Sequence, residues 1–318
     1  MGKNMNKIPI IYSRKYNISV LCIEYFHSFD TRKYKKIYKY LKKQLNLTKE
    51  QFYSPNRITE EKLLLVHSKE YLKSLTRSSI VSEIAEIPII KFVPNIILQQ
   101  GILKPMRYAT TGTIMGTELA LKFGWAINLS GGYHHAKRDH GEGFCVYADI
   151  PIAIKCIWRK NPELKILIID LDAHQGNGCS AILGKDERVA ILDIFDQLAF
   201  PRDRFAENLV SHKVLVKRRI RDKLYLEKLD YWIPKAINEH KPDLIIYNAG
   251  SDIYIDDPLG SLYVSEEGIL ARDEMVFKSA QDNDIPILML LSGGYHKRSW
   301  SIIGNSIVNL ISKGILNY

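Results

Sequence analysis

Cysteine is scarce: four in 318 residues, Cys22, Cys145, Cys156 and Cys179, no two of them forming a C-x-x-C pair. That excludes a disulfide framework and a thiolate metal site, and the thiols read as buried small apolar side chains. Also missing is any run approaching the roughly 18 to 20 uncharged apolar residues that a membrane helix requires. The opening Met1-Gly2-Lys3-Asn4-Met5-Asn6-Lys7 lacks the apolar core of a signal peptide. These absences predict a soluble intracellular protein without integral membrane association, cytoplasmic or, in a eukaryotic cell, with access to the nucleus. No Ser/Gly/Pro-rich linker and no internal repeat interrupts the chain, so residues 1–318 are expected to form a single domain with an N-terminal helical elaboration. Nor is there a nucleic-acid module signature, so nucleic acid is not a required partner.

What is present is ordinary globular composition, 46% hydrophobic and 25% charged, with a formal net charge of +10. Much of that excess lies in Arg32, Lys33, Lys35, Lys36, Lys39, Lys42 and Lys43. These alternate with Tyr34, Ile37, Tyr38, Leu41 and Leu45 at three- and four-residue spacing, which predicts one amphipathic helix from Arg32 to Lys43 with a basic, solvated outer face. Apolar, β-branched runs at Trp125 to Leu129, Lys165 to Leu171, Val189 to Ile194, Leu244 to Tyr247 and Ile287 to Leu291 read as buried strands. Helical segments lie between them: Thr111 to Phe123, Ile150 to Arg159, Leu224 to Glu239, Ser265 to Gln281 and Ser299 to Ser312. Alternation of the two predicts an α/β sandwich, a central mostly parallel sheet with helices on both faces.

Four of the strands run into glycine beside polar chemistry: Ser130-Gly131-Gly132-Tyr133-His134-His135, Asp170-Leu171-Asp172-Ala173-His174-Gln175-Gly176-Asn177-Gly178, Asn248-Ala249-Gly250-Ser251-Asp252 and Ser292-Gly293-Gly294-Tyr295. In open α/β sheets ligands bind at the carboxyl ends of the strands, so these loops can converge on one site. Asp172 and His174, two apart on extended chain, can grip one ion from the same face, with Asp170 behind them and Asp252 as third ligand. Taken alone, D-L-D-A-H also fits a strand closing in a helix-capping acidic turn. Two carboxylates and one imidazole leave positions open for water and substrate, as in a catalytic zinc site, and also suit iron(II) or cobalt(II). A second ion would need a carboxylate at Gly176, so one metal is expected. Carboxylate ligands acidify a bound water less than imidazoles do, which calls for a separate base, and the adjacent His134 and His135 supply one and an acid. Tyr295 can donate its phenol to a carbonyl oxygen that gains charge.

Taken together, G-G-Y-H-H, D-L-D-A-H-Q-G-N-G, N-A-G-S-D and S-G-G-Y, in that order, resemble the signature of the histone deacetylase superfamily. Further similarity to its class IV branch runs through Pro9 to Ser13, Tyr16 to Ile18, Pro94-Asn95, Gly112 to Ile114, Gly124 to Asn128, and Gly143 to Cys145 with Tyr147 to Asp149, nearly the whole chain. The resemblance implies an arginase/deacetylase-like fold and a zinc-dependent hydrolase of Nε-acyl-lysine in proteins and peptides. It implies Asp172, His174 and Asp252 as zinc ligands, His135 as general base and acid, His134 as electrostatic helper oriented by Asp170, and Tyr295 as carbonyl polariser. Asp170 with neighbouring carbonyls would hold a structural potassium ion. Gly143, Phe144, Phe200 and Gly294 would line the acyl-lysine tunnel. Behind His135 stands Asn177 where many relatives carry aspartate; a neutral partner stabilises imidazolium less, which predicts weak activity on acetyl-lysine and, with class IV, a preference for long-chain fatty-acyl groups.

Two other readings are carried forward. One is a small-molecule amidohydrolase of the same superfamily, such as an acetylpolyamine deacetylase, which a glutamate at the tunnel mouth and a constricted entrance would favour. The other, of a different class, is a non-catalytic acyl-lysine or nucleic-acid binding protein.

Overall fold

A computed structural model of the chain describes residues 7–20, 30 and 32–317. Its strands are β1 (Ile10–Ile11), β2 (Trp125–Asn128), β3 (Ile166–Asp170), β4 (Val189–Asp196), β5 (His212–Val216), β6 (Leu244–Asn248) and β7 (Ile287–Leu290). They form one seven-stranded sheet in the order β1-β2-β7-β6-β3-β4-β5, parallel throughout. Every residue of β2, β3, β4, β6 and β7 is buried, which is why these strands are predominantly apolar rather than alternating. Each fully buried Ile or Leu contributes about 1.5–3 kcal/mol of transfer free energy.

Among the described residues the longer helices include α1 (Lys33–Gln44), α2 (Lys104–Phe123), α3 (Asp149–Trp158), α4 (Asn177–Leu183), α5 (Asp222–His240), α6 (Glu266–Asp282) and α7 (Ser299–Ser312). α5, α6, α7 and α1 pack in succession as one layer, while α2 packs on α3 and β2. Local chemistry sets the ends. Ser265 caps α6 by accepting the Gly268 amide, and Gly124 stops α2 in the left-handed region at φ 82°.

The sheet decides where the polar loops meet. Asn128 pairs with Leu290, Leu290 with Asn248, and Asn248 with Asp170. β2, β7, β6 and β3 are therefore neighbours that end at one level, and the four glycine-bearing loops leave the same edge side by side.

The five strands and six helices expected from the sequence are present, with shifts at their ends. Two strands escaped it: β1 is only two residues long, and β5, on the sheet edge, is partly exposed and polar. The basic helix requires a correction. Lys33 does not belong to the outer face; it falls on the inward stripe with Tyr34, Ile37 and Leu41, and is 1% exposed. Its charge suggested solvent, but its helical phase puts it in the core. Cys145 and Cys179 are buried and Cys156 half-buried; Cys22 lies outside the described residues. No helix among the described residues is long and apolar enough to cross a membrane.

Candidate active site

β3 ends at Asp170, so Asp172 and His174 project from the loop just beyond it rather than from the strand. Asp172, His174 and, from the loop after β6, Asp252 are buried and bring one donor atom each within 4.8 Å of the others. His174 Nδ1 faces both carboxylates, at 3.1 Å from Asp172 Oδ1 and 2.9 Å from Asp252 Oδ2. One nitrogen carries at most one proton, so it cannot satisfy both.

Burial pushes the Asp252 carboxyl up to about 7, with Asp172 adding to the shift and His174 opposing it. Burial would also lower the His174 imidazolium, but its bonds to Asp172 and Asp252 outweigh it and hold it well above the ordinary range. Concentrated negative charge on a nitrogen–oxygen donor set fits a divalent cation such as zinc, iron(II) or cobalt(II). The remaining carboxylate oxygens are pinned: Asp172 Oδ2 accepts from Ser292 Oγ at 2.9 Å and Gly293 N at 3.0 Å, and Asp252 Oδ1 from Ala173 N at 2.9 Å. Gly250 and Gly293 make room for this, since a Cβ on either would stand 2.3 Å and 2.6 Å from Asp172 Oδ2. Gly250 thus admits Asp172.

The two histidines share the next loop, with ring centroids 4.0 Å apart, and have opposite partners. His134 Nδ1 lies 2.8 Å from Asp170 Oδ2. Burial alone would lower its pKa, but Asp170 and Asp172 raise it to about 9. His135 Nδ1 lies 2.9 Å from Asn177 Oδ1, and Asn177 Nδ2 donates to Glu142 Oε1 at 2.6 Å. Because that carboxylate accepts from the amide nitrogen, Asn177 must turn its oxygen to His135. Nδ1 therefore carries the proton, and Nε2 is left as a bare acceptor. Burial, then the neighbouring His134 and His174, push His135 well below its ordinary pKa, so it stays neutral.

His135, His174, Tyr295, Gly143, Phe144 and Phe200 line one cavity of about 510 Å³. The Phe200 ring meets His135 edge-on at 5.2 Å, and the Phe144 ring lies 5.9 Å from Tyr295. Burial and the charges of Asp172 and Asp252 raise the Tyr295 phenol well above its usual pKa, which keeps it a hydrogen-bond donor. The cavity thus joins an acceptor nitrogen, a neutral phenol and the cluster of Asp172, His174 and Asp252, which could hold a metal ion.

Comparison with known proteins gives the lineage. Residues 27–311 match the family described as Histone deacetylase domain. The chain belongs to the histone deacetylase family. Within it, the chain is 42% identical over 312 residues to Histone deacetylase 2 of Arabidopsis thaliana, covering 98% of this chain and 81% of the relative. It is 28% identical over 333 residues to the acetoin utilization protein AcuC of Staphylococcus aureus, covering 97% and 84%. The fold is shared with the crystal structure of the HDA15 HD domain (TM-score 0.76, 19% identity, 98% of this chain and 90% of that one). It is shared likewise with an HDAC homolog complexed with SAHA (TM-score 0.75, 20% identity, 97% and 84%). Membership makes the chain a metal-dependent amide hydrolase.

Of the residues expected in this histone deacetylase family site, all but one gather around the cavity or directly behind it. Gly294 is the exception. It is buried against Ser251, where a Cβ would come within 2.0 Å of Ser251 Oγ, and at φ 130° it lets Tyr295 reach the cavity while lining none of it itself. Asp170 supports His134, and next to it Asp193 Oδ1 is buried with no hydrogen-bond partner among the described residues. Burial and the adjacent Asp170 raise the Asp193 carboxyl well above its usual range. Such an orphaned oxygen beside a second carboxylate fits a cation.

Four supporting residues were not foreseen. Asp149 holds the histidine loop, accepting from Gly132 N, Tyr133 N and Thr113 Oγ1 at 2.9, 2.8 and 2.6 Å. Asp257 holds the tyrosine loop, accepting from Tyr295 N at 2.7 Å and His296 N at 2.9 Å, and its other oxygen accepts from Leu259 N and Gly260 N. Arg272, 1% exposed, donates to the carbonyls of Gly250 at 2.6 Å and Leu171 at 3.4 Å, tying the two ligand-bearing loops together. Lys33 Nζ donates to the carbonyls of Ser292 at 2.8 Å and Gly293 at 3.2 Å; burial draws its ammonium down to about 8 against the pull of Asp252 and Asp172. The only sequence hint for Lys33 was its phase with Ile37 and Leu41.

Proposed function

We propose that this deacetylase-family chain resembles the class IV branch and hydrolyses Nε-acyl-lysine amides in proteins and peptides, favouring long-chain fatty-acyl over acetyl groups. The observation that carries the reading is the single cavity faced by His135, His174 and Tyr295 and walled by Phe144 and Phe200, aromatic faces suited to the aliphatic stem of lysine.

Asp172, His174 and Asp252 would hold one zinc ion. When bound, it would polarise the amide carbonyl and acidify the attacking water. His135 Nε2 takes a proton from that water and returns it to the leaving lysine amine, while Tyr295 donates its phenolic hydrogen to the carbonyl oxygen as charge builds there. His134, kept cationic by Asp170, adds positive potential beside the reacting atoms. Asp170, with Asp193 next to it and nearby backbone carbonyls, would hold a structural potassium ion. Support for weak acetyl-lysine turnover comes from Asn177, whose neutral amide leaves the imidazolium of His135 without an anionic partner.

One observation favours a second reading. Glu86 lines the same cavity, and a glutamate there suits a cationic acetylpolyamine; Arg218 and Arg219, which also line it, oppose a polycation. Initial rates on one lysine peptide bearing acetyl, octanoyl or myristoyl groups, and on an acetylated polyamine, with and without chelator and zinc restoration, separate the readings. Chelator-sensitive turnover rising with chain length is expected. Acetyl preference would overturn the chain-length claim, and turnover of the polyamine alone would replace the protein substrate.

A further inference from the structure

Two larger grooves share lining residues with the catalytic cavity, and they carry opposite charge. One, of about 700 Å³, shares Glu86, Gly143 and Phe200 with the cavity and is lined by five carboxylates, Glu70, Glu83, Glu86, Asp139 and Glu142, against Arg77. Asp139 is paired with Arg138 and Glu142 with Lys137. Glu70, Glu83 and Glu86 are exposed and have no cation within ion-pair distance among the described residues.

The other groove, also about 700 Å³, shares Arg218 and Arg219 with the cavity and presents Lys217, Arg218, Arg219 and Lys228 against Glu227. Arg218 is engaged by Asp196 at 2.9 Å. Among the described residues Lys217, Arg219 and Lys228 have no carboxylate at that distance; the Arg219 guanidinium instead lies 5.5 Å from the Tyr263 ring. Exposed Leu224 and Tyr231 line the same groove, giving an apolar floor beneath the charges.

Carboxylates in one groove and cations in the other, without ion-pair partners among the described residues and both bordering the acyl-lysine cavity, suit a ligand of split charge. A polyanion such as nucleic acid would be repelled at one end and a polyamine at the other. We propose that the two grooves select peptide substrates whose acyl-lysine is flanked by basic residues on one side and acidic residues on the other. This rests on the acyl-lysine reading and adds the sequence context it prefers. Exposed charges of this kind act through encounter and orientation, so the preference is strongest at low salt.

The test compares kcat/KM on peptides with one central acyl-lysine in four contexts: basic residues before it and acidic after, the reverse order, uniformly basic and uniformly acidic. A blocked acyl-lysine without flanks serves as reference. One split-charge order should exceed its reverse by on the order of tenfold at low ionic strength, given a few pairs of exposed-bridge strength. That ratio should shrink at high salt and in Glu83→Lys and Lys228→Glu, two positions beyond the catalytic cavity. Because it is a ratio on one preparation, a loss of folded protein does not imitate the effect. Equal rates for the two orders, or a uniformly charged peptide surpassing both, would overturn the charge-split selection. If the blocked acyl-lysine is still turned over, the acyl-lysine reading survives that result. Failure on every substrate, the reference included, removes both.

Discussion

The floor and the mouth of the cavity handle charge in opposite ways. On the floor, Asp149, Asp170, Asp172 and Asp252 are at most 1% exposed, and every carboxylate oxygen among them has a hydrogen-bond partner, the His174 amide serving Asp172 Oδ1 while His174 Nδ1 faces Asp252 Oδ2. At the mouth, Glu83 and Arg219 are exposed and without counter-charges at ion-pair distance among the described residues. These bonds hold the four carboxylates in one arrangement before substrate arrives, which is what stabilising a developing charge requires, while the partnerless Asp193 Oδ1 beside Asp170 is the exception that fits a cation. Exposed charges cost little to leave unpaired, and they remain free for a substrate's own side chains. On the proposed reading, the floor does the chemistry and the mouth the selection.

Breaking the floor should have the largest effect. Tyr295→Phe keeps the ring and the cluster but removes the donor; kcat should fall on the order of a hundredfold or more, with zinc affinity by calorimetry unchanged. Normal turnover would take Tyr295 out of the reaction.

Next comes His67, a buried histidine under the shoulder of the site, to be contrasted with His134. Its Nε2 accepts from Ala148 N at 3.0 Å and its Nδ1 lies 3.2 Å from the Arg138 carbonyl. Burial pulls it from 6.5 down to about 4, despite the bond to the Arg138 carbonyl. Between those values the unfolded chain binds the proton and the folded one does not, so stability is fully present above 6.5 and is lost as pH falls toward 4. The loss amounts to about 3 kcal/mol. Urea unfolding across pH 4 to 7.5 should show this slope in the native protein and a flatter one in His67→Asn.

Lys33→Met tests whether a buried ammonium holds the tyrosine loop: with the Ser292 and Gly293 carbonyls left short of a donor, stability should drop by about 2 kcal/mol. An unchanged midpoint would mean the loop holds itself. Asn177→Asp should raise acetyl-lysine turnover a few-fold by giving His135 an anionic partner, and unchanged turnover would end that account of weak acetyl activity. Smallest of all, Arg219→Ala should leave stability within about 0.5 kcal/mol, as expected at an exposed position. A larger change would place Arg219 with the floor, not the mouth.

The amino-acid sequence by itself determined the α/β class, because strands buried on both faces are predominantly apolar. It also determined the chemistry of the four loops, where Asp172 and His174, His134 and His135, Asp252 and Tyr295 sit in short, glycine-marked segments. Tertiary structure alone decided how those segments meet, through the register that ends β2, β7, β6 and β3 at one level. It alone decided which charges are buried. Lys33 reads as one more surface lysine until α1 packs, and its acceptor Ser292 lies 259 residues away. Arg272, Asp257 and the two unlike grooves were hidden for the same reason. Residue type and spacing report what a side chain can do, whereas burial and partnership depend on contacts between segments far apart in the chain.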